Sequence, residues 1–233
     1  MQPSYTQSST TVGYDEGLRS YLLGVFNYMT TALMVSGLIS AYIGYNTALA
    51  AAIWSTPLKW VALLAPLGIS LLIGFTAHKM TTYAAKVWLM VFAAAMGVSI
   101  SSIFLIYKLG SIFQVFFISA TMFGTMALWG YTTKRDLSSM GSFLMMGLIG
   151  LVLAGLVNLF LQSSVLAFVV SALGVVIFTG LTAYDMQNIK NTYYELEGEE
   201  RSKAGVLGAL SLYLDFINIF MSLLQLIGDK KDS

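Results

Sequence analysis

Seven stretches of this 233-residue chain are long and apolar enough to cross a lipid bilayer, at residues 21–45, 59–77, 86–107, 112–130, 141–161, 165–188 and 204–227. About 20 apolar residues at 1.5 Å per residue cover the hydrocarbon core. Backbone in lipid must satisfy its own hydrogen bonds, so each run is expected to be a helix. The fold class that follows is an all-α integral membrane protein, a bundle of seven transmembrane helices. A polar N-terminal tail is expected over residues 1–20, the transmembrane domain over 21–228 and a C-terminal tail over 229–233. Composition agrees: 57% of residues are hydrophobic and 10% charged, where a soluble domain carries about 25% charged residues.

The same composition closes off whole classes of function. There is no cysteine, hence no disulfide, thiolate metal site or Cys nucleophile, and the single histidine, His78, rules out a multi-histidine metal centre. No cofactor and no stable metal site is expected. A net charge of +1 without a basic cluster argues against nucleic acid. Residues 1–19 are polar and lack the basic-then-apolar pattern of a cleaved signal peptide.

Orientation follows from the basic residues, which gather on the cytoplasmic side. Arg19, Lys79, Lys86, Lys134, Arg135, Lys190, Arg201 and Lys203 fall on one side, whereas only Lys59 and Lys108 lie between spans on the other. The amino terminus is therefore expected in the cytoplasm. Lys230 and Lys231 complicate the seventh segment: its length favours a full crossing, its terminal charges a re-entrant return. Residues 190–203, with Glu195, Glu197, Glu199, Glu200, Arg201 and Lys203, read as a solvated loop. Small residues at Ser36, Ser40 and Gly44, and at Gly150 and Ala154, recur every four residues and are expected to let helices approach closely.

Two aspartates fall within the spans, Asp185 near the end of the sixth and Asp215 well inside the seventh. An ionisable group at a helix centre costs about 2.5–3.5 kcal/mol to insert, so it faces the bundle interior and usually serves a function. On the seventh helix Ser211, Asp215, Asn218, Ser222 and Gln225 step by four, three, four and three residues and draw one polar stripe. The plain alternative for this stripe is a hydrogen-bonded packing seam. His78 and Lys79 close the second span on the side that Asp185 approaches, which makes them candidates for a basic latch, with interfacial anchoring as the ordinary reading. Two carboxylates about 4 Å apart, at an effective dielectric of about 20, repel by about 4 kcal/mol, so they are expected to titrate as one pair sharing a proton.

Three segments carry a specific resemblance: Tyr131-Thr132-Thr133-Lys134-Arg135-Asp136-Leu137-Ser138, Leu181 to Lys190, and Leu212 to Phe220. In these, and in span number and length, the chain resembles the Bax inhibitor-1 family of transmembrane proteins, most closely its bacterial members. The resemblance implies a seven-helix fold with the seventh helix central, in the inner membrane. It also implies a proton-sensitive calcium leak whose gate is a hydrogen-bonded aspartate pair, onto which Asp185 and Asp215 fall. Some members latch an arginine at the end of the second span to the first aspartate, where this chain offers Lys79, which lacks the bidentate fork. The expected permeant ion is Ca²⁺, met transiently by oxygens of Asp215, Asn218 and Gln225 along a path lined by Ser211, Asn218, Ser222 and Gln225.

Three other readings compete. Two aspartates on neighbouring spans also suit an intramembrane aspartyl protease, but Tyr213 and Leu214 stand where such proteases place small residues. A retinal pump needs a lysine in its last span, and residues 204–227 hold none. The third is a non-conducting regulator that binds other membrane proteins.

Overall fold

The computed structural model describes residues 15–231, which form helices and no strand. Each apolar run is a spanning helix. Span one is α1 (Glu16–Tyr45), followed by a short connecting helix, α2 (Thr47–Trp54). Span two is α3 (Leu58–Thr76), closed by a 3-10 turn over Ala77–Lys79. Span three is α4 (Thr82–Ile100) with the short α5 (Ile103–Ile106). The remaining spans are α6 (Leu109–Thr132), α7 (Ser138–Leu161), α8 (Ser164–Glu195) and α9 (Gly198–Ile227).

Side-chain oxygens start the helices by accepting from exposed backbone N–H groups. Asp15 accepts from Leu18 at the head of α1, Asn46 from Leu49 at α2, Thr81 from Ala84 at α4 and Ser163 from Leu166 at α8. Asp136 does the same for α7, accepting from the backbone N–H of Ser138 at 2.9 Å and from its hydroxyl at 2.6 Å.

α9 stands at the centre, packed against α8, α1, α6 and α4. Of its most apolar stretch 61% is buried, against 11% in α7 and 17% in span two. The seventh segment is no re-entrant hairpin but one helix that runs the length of the bundle. Its first turn meets the start of span three, where Thr82 donates to Glu199, and its last residues meet the start of span four, where Lys108 N–H donates to the Asp229 carbonyl. Lys230 and Lys231 thus lie at the end opposite the eight basic residues named above. There the chain after α9 pairs with Tyr107 in an isolated antiparallel bridge, Lys231 N–H donates to Ile106, and the Lys231 ammonium donates to the Phe104 carbonyl.

α1 begins at Glu16, capped by Asp15, within the stretch 1–20 expected as a tail; residues 1–14 of that stretch lie outside the described residues, as do 232 and 233 of the C-terminal one. Two expectations are corrected. Residues 190–203 are no loop: α8 runs to Glu195, α9 starts at Gly198, and only Leu196 and Glu197 separate them. The charges sit on the facing ends of α8 and α9, outside their apolar stretches, and Glu199 and Glu200 suit the positive N-terminal end of α9. Gly198, at φ +57, makes the reversal at little cost. Finally, Gly150 faces open space; α7 instead approaches α8 through Gly141, where an added Cβ would overlap the Tyr184 ring, and Gly147, where it would meet Ile177.

Candidate functional site

Asp215 sits in the seam between α8 and α9. Its residue is 4% exposed, and its Oδ2 is buried with no hydrogen-bond partner among the described residues. Thr182 of α8, whose hydroxyl donates to the Phe178 carbonyl of its own helix at 2.8 Å, lies beside the Asp215 carboxyl, and Asp185 is near enough for the two charges to interact. The register explains the meeting. Ser171 donates to Gln225 at 2.7 Å, Gly174 lies against Ser222, Thr182 against Asp215 and Ile189 against Gly208, so the two helices run antiparallel in step along their length. Asp185 is three residues from Thr182, about 4.5 Å along the axis.

The seam is held still by its neighbours. The Tyr213 hydroxyl is 2.6 Å from Ser36 Oγ, which also lies 2.8 Å from the Ala93 carbonyl it donates to, so α1, α4 and α9 are knotted two residues from Asp215. Tyr213 is fully buried, edge-on to Phe92. On the other flank a Cβ at Gly130 of α6 would lie 2.2 Å from the Ala183 carbonyl. Gln187 grips the loop after α6 twice, donating to the Arg135 carbonyl and accepting from Leu137 N–H, while Lys190 donates to Tyr131 and lies 4.9 Å from its ring centroid. The segments Tyr131–Ser138 and Leu181–Lys190 are therefore two halves of one clamp. Asp136, which caps α7 in that loop, has its carboxyl held below the usual carboxylate range by the two Ser138 hydrogen bonds.

Of the predicted site residues, the structure brings Asp185 and Asp215 together. The stripe partners turn out to be seam residues facing α8: Ser222 abuts Gly174 and Gln225 bonds Ser171, while Asn218 donates back to Leu214 in its own helix. Ser211 is half-buried. His78 and Lys79 do not join the pair. Both are exposed in the 3-10 turn after α3, which packs on α4, and neither is hydrogen-bonded or ion-paired to an aspartate among the described residues. Among the described residues no three His, Asp or Glu side chains gather to hold an ion. Sequence reading overlooked Thr182, Gln187 and the Tyr213–Ser36 contact. The first two lie within the stretch around Asp185, where only the charged residue drew notice.

The chain matches the family described as "Inhibitor of apoptosis-promoting Bax1" over residues 18–232. It is 42% identical over 233 residues to the uncharacterized protein RP147 of Rickettsia prowazekii (strain Madrid E), covering 98% of this chain and 99% of the relative. It is 37% identical over 231 residues to the inner membrane protein YbhL of Escherichia coli (strain K12), covering 97% and 99%. An uncharacterized membrane protein of Streptococcus pyogenes serotype M3 is similar at 34% over 226 residues, 96% of each chain.

Proposed function

The chain belongs to the Bax inhibitor-1 family of membrane proteins, and from that premise we propose that it is a proton-sensitive cation leak, passing Ca²⁺, whose gate is the pair Asp185 and Asp215. The single observation that carries this reading is the buried Asp215 carboxyl with an unpartnered oxygen, facing a second carboxylate across the seam of the central helix. A buried, incompletely satisfied charge is expensive, and such groups persist where they serve a function. With one proton on the pair, the carboxylates can hydrogen-bond and draw α8 and α9 together. With none, the two negative charges repel, by about 4 kcal/mol at about 4 Å and an effective dielectric of about 20. On this reading the described arrangement corresponds to the closed state, since Asp215 is 4% exposed in the seam against α8.

Opening on this reading means parting the seam, after which the oxygens of Asp215, Asn218 and Gln225 would face a path and offer Ca²⁺ the hard ligands it prefers, transiently. Proteolysis is disfavoured: Tyr213 is buried and bonded to Ser36, so the backbone beside Asp215 has no open approach for a peptide. The regulator reading draws on the Ser171–Gln225 and Gly174–Ser222 contacts, which make the stripe a packing seam. With eight of the twelve basic residues at one end of the bundle, that end and the amino terminus are assigned to the cytoplasm.

The test is Ca²⁺ flux in proteoliposomes from acidic to mildly alkaline pH for wild type, Asp185→Asn, Asp215→Asn and the double variant. Reporters fused after Lys134 and after Ser233 fix the orientation and are expected on opposite sides. Either Asn variant should flatten the pH response, and the double should add little, as for partners in one network. No flux at any pH, or single variants that keep the wild-type midpoint, would transfer the assignment to the regulator reading.

A further inference from the structure

At the end of the bundle that gathers the basic residues, α1, α4, α8 and α9 border an open cavity of about 380 Å³ that neither Asp185 nor Asp215 lines. That volume lies within the range of small-ligand sites, roughly 300–1,000 Å³. Two cations line it, Lys86 one turn into α4 and Arg201 in the first turn of α9. Both are half-buried, and among the described residues neither has a carboxylate partner. Each rests on a tyrosine face instead: the Lys86 ammonium is 5.1 Å from the Tyr28 ring centroid and the Arg201 guanidinium 4.5 Å from that of Tyr193.

A π face covers one side of a cation and leaves N–H donors pointing elsewhere. Arg201 spends its Nε on the Leu196 carbonyl at 2.6 Å, which leaves its terminal nitrogens. Lys86 donates to no protein oxygen among the described residues. Nearby acids accept from other donors: a Glu199 carboxylate oxygen from Thr82 N–H at 3.4 Å, and Asp15 from Leu18 N–H at 2.9 Å and from the Tyr193 hydroxyl at 3.4 Å. The Tyr21 hydroxyl, electrostatically in reach of Arg201, is buried without a partner among the described residues, and Gly205 leaves it room, since a Cβ there would come within 2.9 Å of its ring. The N-terminal ends of α1, α4 and α9 all converge at this end, adding their positive dipole ends.

We propose that this cavity binds an anionic phosphate group, carried by a lipid headgroup or free in solution, through Lys86 and Arg201, with Ser20 lining it beside them. Phosphate suits both cations: guanidinium nitrogens meet it in a fork, an ammonium meets it as a point charge, and its several oxygens can satisfy both at once. Bound there, it ties the first turn of α9, the helix that carries Asp215, to α1 and α4.

The test follows thermal unfolding of the purified full chain in neutral detergent. Inorganic phosphate, a short-chain phosphatidylglycerol and a short-chain phosphatidylcholine, whose choline cancels the phosphate charge, are titrated separately. Phosphatidylglycerol is expected to raise the melting temperature and phosphatidylcholine to leave it unchanged. A rise with inorganic phosphate assigns the free anion as a ligand, and a rise with phosphatidylglycerol alone assigns the headgroup. Lys86→Gln and Arg201→Gln should each weaken the effect at least tenfold, whereas Lys79→Gln, an exposed basic residue outside the cavity, should not change it. If Arg201→Gln does not fold, Lys86→Gln decides, because among the described residues the Lys86 ammonium rests only on the Tyr28 ring. No rise with either anion, an equal rise with phosphatidylcholine, or an equal loss in Lys79→Gln overturns the proposal.

Discussion

α7 and α9 are both apolar spans of similar length, yet 11% of one stretch and 61% of the other is buried. The buried one is the more polar. α9 carries Ser211, Asp215, Asn218, Ser222 and Gln225, whereas α7 shows lipid a surface of Phe143, Met146, Ile149, Leu153 and Phe160. In water the apolar helix would have gone inside. In a bilayer lipid is as apolar as leucine, so hydrophobicity no longer selects what is buried; close packing and polar contacts between helices do. The centre of this molecule is where small residues permit approach and polar groups need partners.

The largest effect should come where backbones touch. Gly130→Val would drive a side chain into the Ala183 carbonyl and part α6 from α8, costing about 1–3 kcal/mol or more. Leu153→Ala on α7, 57% exposed to the surrounding lipid, should stay within about 0.5 kcal/mol. Thermal unfolding of the two in one detergent compares them, and equal destabilisation would mean that the two helices are not differently held.

A smaller effect is expected from Tyr213→Phe, which keeps the ring against Phe92 and loses only the hydroxyl contact to Ser36. Hydrogen bonds between helices in membranes contribute about 0.6 kcal/mol on average and about 1.7 at most. Unfolding that matches wild type would show that the knot at the centre is held by packing alone.

The smallest effect concerns how α7, with so little burial, is anchored at its start. Asp136 is exposed, and its carboxyl is held below its ordinary value by Ser138. A lowered folded-state value means that the cap contributes fully above about pH 4 and is lost as pH falls through the lowered value. Amide exchange in the first turn of α7 should therefore quicken on acidification in wild type, beyond the intrinsic pH effect. Asp136→Ala should lack that additional step and be less protected at neutral pH. Equal protection of both proteins at neutral pH would remove the cap from the account.

Much of the candidate site was legible in the chain alone, because a carboxylate in an apolar run is conspicuous whatever surrounds it. Asp185 and Asp215 stand out by charge, and the period of the polar stripe gives the face of α9 that turns inward. Lys79 and His78 looked like latch candidates only because sequence gives the side of the membrane on which a residue lies. It does not give the neighbour. In the structure α3 packs on α4, and both residues remain exposed. Thr182 and Gln187 escaped notice because threonine and glutamine at a helix end are ordinary until their partners are known.

The sequence by itself determined the class, the number of spans and the end of the bundle that collects positive charge. Each of these depends on local composition: lipid demands that every run satisfy its own backbone, one helix at a time. The tertiary structure decided that the charged stretch before the seventh span is helix, that α9 runs the length of the bundle and stands at the centre, and that Asp215 meets Asp185 across one antiparallel register. It also set Lys86 and Arg201, 115 residues apart in the chain, in the wall of one cavity. These depend on which helix lies against which, and that is settled by glycines, hydroxyls and ring faces that fit only in pairs, so that neither partner signals the contact alone.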